Sequence, residues 1–147
     1  MNNEQQIWYK PYKLDDLTRL SGNTMVEHLQ INFTEIKPEA LIATMPVSHI
    51  TKQPAGLLHG GASVALAETL GSVASWMIIN TDLFFPVGIE INANHIKGVK
   101  DGLVTGICSP LHVGGRTHVW DIKIYNDKME LCCVSRLTTS IIAKSKI

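Results

Sequence analysis

Gln53-Pro54-Ala55-Gly56-Leu57-Leu58-His59-Gly60-Gly61-Ala62 opens a stretch that continues through Leu66-Ala67-Glu68-Thr69-Leu70-Gly71-Ser72. Between Lys52 and Asp82 it carries one formal charge, Glu68. Beyond Gly60-Gly61 the residues are small and apolar, as in a helix buried inside a protein. A carboxylate buried there without a partner costs on the order of several kcal/mol of desolvation. A salt-bridged structural glutamate, a membrane-embedded proton site, or a catalytic acid or base tuned by burial would each account for it. The membrane reading is weak. Residues 60–79 approach the minimum of about 17 to 25 residues for a span, but they include Gly60, Gly61, Ser63, Thr69, Gly71, Ser72 and Ser75 and lack basic anchors at the ends. The salt-bridge reading lacks an evident partner, since Arg19, Arg116 and Arg136 are all distant in sequence.

The glycines point to chemistry. A helix starting at Gly60 offers unpaired backbone N–H groups and the positive end of the helix dipole, and glycine lets a ligand come close to the backbone. Such a terminus suits a developing oxyanion. Glu68 follows about two turns later, with the Ser72 hydroxyl at i+4 on the same face, and Gln53 precedes the loop. An oxyanion site, a carboxylate and a hydroxyl suggest attack on an acyl group, with Glu68 aimed at a carbonyl held at the N-terminus of its own helix.

The rest of the chain wraps around this helix. Leu14, Leu17 and Leu20 at helical spacing predict a first helix over 13–20, stopped by Ser21-Gly22. Residues 28–36 alternate as a strand, Pro38-Glu39 turns, and 40–47 return as its hairpin partner. After the central helix, which ends near Asn80-Thr81-Asp82, strands are predicted over 87–95, 103–109, 118–125 and 131–142. The third has Trp120, Ile122 and Ile124 on one face and Val119, Asp121, Lys123 and Tyr125 on the other, and Asn126-Asp127-Lys128 turns into the last. Helix, two strands, long helix and four strands make an α+β domain, an antiparallel sheet covering one buried helix. At 147 residues the whole chain, 1–147, reads as one domain.

Composition excludes several classes. Thirteen basic residues balance thirteen acidic ones, so no broad electrostatic footprint for nucleic acid or anionic lipid exists. Cys108, Cys132 and Cys133 are an odd count without C-x-x-C spacing, which argues for buried thiols over disulfides. No metal site is expected, because neither an H-x-x-x-H pattern nor a cysteine cluster is present. His28, His49 and His118 read as solvent or packing residues, and Trp8, Trp76 and Trp120 as core or interface residues. The first residues, Met1-Asn2-Asn3-Glu4-Gln5-Gln6, carry neither a basic nor an apolar leader region, which points to the cytoplasm.

Thr51 to Ser63 with Leu66 to Ser72 resembles the signature of hotdog-fold acyl-CoA thioesterases, in which an antiparallel sheet wraps one long central helix. The similarity is closest to the 1,4-dihydroxy-2-naphthoyl-CoA thioesterase branch of menaquinone and phylloquinone biosynthesis, whose sister branch clears misloaded aryl carrier proteins. Gly88-Ile89-Glu90-Ile91-Asn92-Ala93-Asn94-His95, Pro110-Leu111-His112-Val113-Gly114, Val119-Trp120 and Leu131 to Thr139 fit the same pattern. The resemblance covers nearly the whole chain and implies hydrolysis of an aromatic or hydroxyaromatic CoA thioester to free acid and CoA.

By this resemblance Glu68 is the catalytic nucleophile or general base, and the Gly60 N–H polarises the thioester carbonyl. His59 and Gln53 position the thioester and water, and Ser72 supplies a hydroxyl near the acyl group. His95 contacts substrate from the neighbouring subunit, because such proteins share their active sites within homodimers that often stack into tetramers. A CoA track is implied along Gly88, His95-Ile96-Lys97-Gly98 and His112-Val113-Gly114-Gly115-Arg116-Thr117, where Arg116 suits phosphate. Gly115 departs from the serine common among relatives, and Lys97 from arginine. No cofactor is implied, since CoA belongs to the substrate. Two other readings stay open on this fold, a thioesterase for an acyl or aryl carrier protein and a non-catalytic acyl-CoA sensor. A hydratase would need a longer motif and a histidine–carboxylate pairing that the sequence lacks.

Overall fold

The computed structural model describes residues 6–146. Two short helices, α1 (Leu14–Ser21) and α2 (Met25–His28), precede a hairpin of β1 (Asn32–Ile36) and β2 (Leu41–Pro46). The long helix α3 (Gly60–Ile78) follows, and then come β3 (Phe84–His95), β4 (Leu103–Val113), β5 (Thr117–Tyr125), β6 (Leu131–Ala143) and a terminal 3-10 turn. All six strands form one antiparallel sheet in the order β1-β2-β4-β5-β6-β3. The sheet lies against α3, whose Leu66, Ala67, Leu70, Ala74 and Met77 are fully buried with Trp120, Ile122, Ile124 and Leu137. This is the expected α+β hotdog arrangement. Small residues let helix and sheet approach, since a Cβ on Gly71 would stand 2.5 Å from a Leu137 methyl. Among the described residues no helix is long and apolar enough to cross a membrane.

The alternation in β5 holds, with His118, Trp120, Ile122 and Ile124 inside. His118 is therefore a packing histidine, whereas His28 and His49 are exposed. Trp8 and Trp120 are core residues, and Trp76 meets Tyr12 in a tilted contact with ring centroids 5.3 Å apart. The three cysteines are free and buried, and burial raises the thiol pKa of each.

Two expectations need correction. The strand predicted from residue 28 begins only at Asn32, because Thr24 accepts a hydrogen bond from the Val26 N–H and starts α2. Glu27 closes back on the Asn23 N–H at 2.6 Å, and Gln30 then takes a positive φ of 57° that ends the turn. Thr24-Met25-Val26-Glu27 is a capping-box sequence, the signal that marks this helix. The strand predicted over 103–109 runs on to Val113 through an irregularity between Pro110 and His112, which a run containing proline does not advertise.

Candidate active site

The helix start is built by its own loop. Lys52 and Leu58 form a β-bridge, Gly56 takes a φ of 82°, and the His59 N–H donates to the Thr51 carbonyl at 2.8 Å. His59 is the N-cap of α3, and its Nδ1 accepts from the Gly61 N–H at 2.8 Å. An Nδ1 that accepts places the ring proton on Nε2. The Ala62 and Ser63 amides donate to the His59 carbonyl at 2.9 and 3.2 Å. Of the four amides that open the helix, Gly60 alone has no acceptor among the described residues.

Gly60 lines a cavity of about 280 Å³ with Gln53, Ser63, His95, Ile96, Lys97, Gly98 and Cys132 on its walls. A Cβ on Gly60 would sit 2.8 Å from Nε2 of His95, so the imidazole of β3 rests directly on the glycine. The Gln53 side chain turns back to accept from the Ala55 N–H. Lys97 is engaged, with its Nζ 2.6 Å from Glu130 Oε1. The lysine and the Asn126 amide hold the Glu130 carboxyl below its usual range. Ser63 and Cys132 are wall residues that the sequence reading missed. Both are small and buried, and only the folded arrangement brings them to the cavity.

Glu68 opens elsewhere. It lines a second cavity of about 310 Å³ with Met25, Val26, Leu29 and Ile31 from the N-terminal segment, Gly61, Val64, Ala65 and Thr69 from α3, and Ile91 from β3. Its Oε1 accepts from the Ser72 hydroxyl at 2.9 Å, and a Cβ on Gly88 would stand 2.5 Å from that oxygen. Gly88 lies at an irregularity between Gly88 and Glu90 on β3. Glu68 enters none of the ion pairs among the described residues.

The two halves do not meet within one chain. Eight residues of α-helix separate Gly60 from Glu68 by about 12 Å of axial rise, too far for one carbonyl to touch both. A carboxylate aimed at its own helix N-terminus is therefore corrected by helix geometry. His95, predicted to serve a neighbour's site, lies with the Gly60 half.

The third group forms the β4–β5 hairpin. His112 and Val113 end β4, Gly114, Gly115 and Arg116 make the turn, and Thr117 opens β5, with the Gly114 N–H donating to the Thr117 carbonyl at 2.9 Å. Arg116 is exposed and enters none of the described ion pairs. A Cβ on Gly114 would meet His112 Nε2 at 2.6 Å, whereas Gly115 stands in open space. Met77, Phe84 and Phe85 are not among the residues that line either cavity. Met77 is in the core, and Phe84 and Phe85 are exposed on β3.

The thioesterase superfamily pattern matches residues 55–133, more than half of the chain, including both the helix start and Glu68. The chain belongs to the thioesterase superfamily. The 1,4-dihydroxy-2-naphthoyl-CoA hydrolase of Escherichia coli is 49% identical over 92% of this chain and 99% of its own length. The proofreading thioesterase EntH of Cronobacter sakazakii is 48% identical over 92% of this chain and 98% of its own. The crystallised thioesterase PA1618 of Pseudomonas aeruginosa superposes with a TM-score of 0.93 at 41% identity, over 94% of this chain and 99% of its own. Identity at this level over nearly full length makes this superfamily member a thioester hydrolase.

Proposed function

We propose that this thioesterase hydrolyses an aromatic acyl-CoA, with 1,4-dihydroxy-2-naphthoyl-CoA or a close hydroxyaromatic analogue as substrate, at a site completed by a second copy of the chain. The observation that carries the reading is the unsatisfied Gly60 N–H, the one free amide of a capped helix start, beside Gln53 and His95. An amide so placed is a preorganised donor for the oxyanion that forms when a thioester carbonyl is attacked. The attacking group is Glu68 of the second copy, acting on the carbon or on a water molecule.

The sheet supports this pairing. Among the described residues β3 is an edge strand of 12 residues, bonded only to β6 and carrying exposed Phe84, Phe85 and Ile89. A long apolar edge is a surface that proteins cover. A two-fold partner across it, in a dimer or a dimer of dimers, brings the Glu68 cavity of one chain toward the Gly60 cavity of the other. The aliphatic walls around Glu68 then receive the acyl ring, and Arg116 takes a CoA phosphate.

The similarity to EntH favours one second reading, an aryl group delivered on a carrier protein. A panel of aryl and alkyl CoA thioesters, run beside the same acyl groups on a carrier protein, tests both. Highest kcat/KM on hydroxyaryl-CoA supports the proposal. Preference for the carrier form, or for alkyl chains, overturns it.

A further inference from the structure

Among the described residues, every side-chain hydrogen bond that joins α3 to the sheet is made by Ser75. Its Oγ receives the indole N–H of Trp120 on β5 at 2.8 Å, and lies 2.8 Å from Thr139 Oγ1 on β6 and 3.1 Å from His118 Nδ1 on β5. All four residues are at most 1% exposed. A hydroxyl has one proton and two lone pairs. With the indole on one lone pair, Ser75 gives its proton to one of Thr139 and His118 and accepts from the other, so its capacity is filled. A buried polar group filled in this way fixes one arrangement of an otherwise apolar contact, as a single polar residue fixes register in a coiled-coil seam.

The place of this tether bears on the carboxylate. The rest of the contact is apolar, with Leu66, Leu70 and Ala74 in the core and Gly71 letting a Leu137 methyl approach. Apolar packing is non-directional, whereas a hydrogen bond weakens steeply once its angle is lost. The hydroxyl is therefore what pins the helix along its own axis. Ser75 lies at i+7 from Glu68, about two turns on and nearly on the same face. Its partner Thr139 is the residue of β6 that pairs with Gly88 on β3. Glu68 Oε1 rests against that glycine, where a Cβ would stand 2.5 Å away. A circuit thus leaves α3 at Ser75, crosses β6 and β3, and returns to α3 at Glu68.

We infer that Ser75 is a positioning residue for thioester hydrolysis, whose hydrogen bond with Thr139 fixes α3 along the sheet so that the Glu68 carboxylate is held against Gly88 in the place from which it acts. The inference rests on the reading of Glu68 as the attacking group or base. Neither Ser75 nor Thr139 lines either cavity, so both act through Glu68. Their loss therefore falls on kcat and spares KM.

Ser75→Ala strands buried partners and strikes folding as well, so Thr139→Val is the working variant. It replaces one hydroxyl by a methyl and leaves Ser75 its contacts with Trp120 and His118. Thr139→Ser returns the hydroxyl, and Ile124→Val, a core change on β5 outside the cluster, is the control for lost stability. Each is assayed with saturating aryl-CoA well below its melting temperature, beside Glu68→Gln. Thr139→Val is expected to lower kcat about tenfold, below the roughly 10²-fold that a displacement of about 1 Å can cost, with KM within about twofold of the parent. Thr139→Ser restores most of kcat, and Ile124→Val keeps it within about twofold. Added to Glu68→Gln, Thr139→Val changes the residual rate less than about twofold, because the group it positions is gone. An unchanged kcat in Thr139→Val, an equal loss in Ile124→Val, or a full further loss on top of Glu68→Gln overturns the inference. If Glu68→Gln lowers kcat and Thr139→Val does not, the Ser75 inference fails alone. If Glu68→Gln keeps parental turnover, the reading of Glu68 fails and the inference with it.

Discussion

The Gly60 half of the site and the Glu68 half are made in opposite ways. The Gly60 half is local, since a bridge, a positive-φ glycine and a histidine cap within residues 51–63 leave one amide free. Only His95 and its neighbours come from afar. The Glu68 half is almost wholly tertiary. One carboxylate is held by a hydroxyl one turn on, faces a glycine on β3, and sits among aliphatic side chains from the N-terminal segment. Hydrogen-bond donors in a loop can be set by short-range chemistry, whereas a carboxylate in apolar surroundings needs walls from several elements. A helix that carries both groups about 12 Å apart along its axis is the reason the proposed site takes its second half from another copy of the chain.

The largest test breaks the comparison by removing the carboxylate. Glu68→Gln is expected to lower kcat by about 10³-fold or more, with little change in melting temperature, because Glu68 takes part in no described ion pair. Retained turnover in the folded variant ends the assignment. Mixing this variant with one impaired in the Gly60 half tests the division directly. If each site takes one half from each chain, mixed dimers hold one intact site, and random exchange restores about a quarter of parental activity. If both halves act within one chain, mixing restores nothing.

Gly60→Ala strikes the donor half. Its new Cβ would lie 2.8 Å from the His95 ring, so the helix start or the imidazole moves and the amide leaves its line to the carbonyl. A loss of about 10²-fold in kcat is expected, the scale of removing one oxyanion donor. Gly88→Ala is the matching change in the Glu68 half. Its Cβ would meet Oε1 at 2.5 Å, but a carboxylate at the end of a flexible side chain can swing aside. Melting should hardly change while kcat falls about tenfold. A large drop in melting temperature with unchanged kcat per folded molecule would show that Gly88 serves packing alone.

The unequal construction also explains what the sequence disclosed. The donor half lay in one unbroken stretch, so cap, glycines and Glu68 could be read together and compared with a known signature. The strands were legible wherever one face is buried, as in β5, where the alternation survives intact. The walls around Glu68 were hidden, because Met25, Val26 and Ile91 are brought together only by the fold. Helix α2 went unassigned and the strand after it was started at His28, four residues early, since the helix has only a four-residue capping motif to mark it. The pairing of Lys97 with Glu130 at 2.6 Å was equally hidden, because the two residues lie 33 positions apart. The distance between Gly60 and Glu68 was computable from the first, at 1.5 Å per residue along the helix, and it was the three-dimensional separation of two cavities that gave it meaning.

Ser72→Ala refines the Glu68 half. It removes the 2.9 Å hydrogen bond to Oε1 and leaves the carboxylate otherwise in place. A charge-assisted bond at a half-buried site contributes about 1 to 2 kcal/mol. If that bond orients the carboxylate in the transition state, kcat falls about five- to twentyfold with KM nearly constant. An unchanged kcat reduces Ser72 to a helix-packing hydroxyl.

The smallest effect concerns His118, buried on β5 with its Nδ1 3.1 Å from the Ser75 hydroxyl. Burial, reinforced by the neighbouring His112, lowers the His118 pKa from 6.5, against the opposing pull of the Gly114 backbone. In the unfolded chain the ring takes up a proton as pH falls through about 6.5, while the folded ring stays neutral to lower pH. Over that interval the unfolded state binds more protons, so stability decreases with falling pH, and above it His118 contributes no slope. Melting curves between pH 7.5 and 5 should therefore fall more steeply for the parent than for His118→Gln, which cannot titrate. The difference should disappear above about pH 7. Parallel curves would mean that the ring takes up its proton over the same pH range in the folded and unfolded chain.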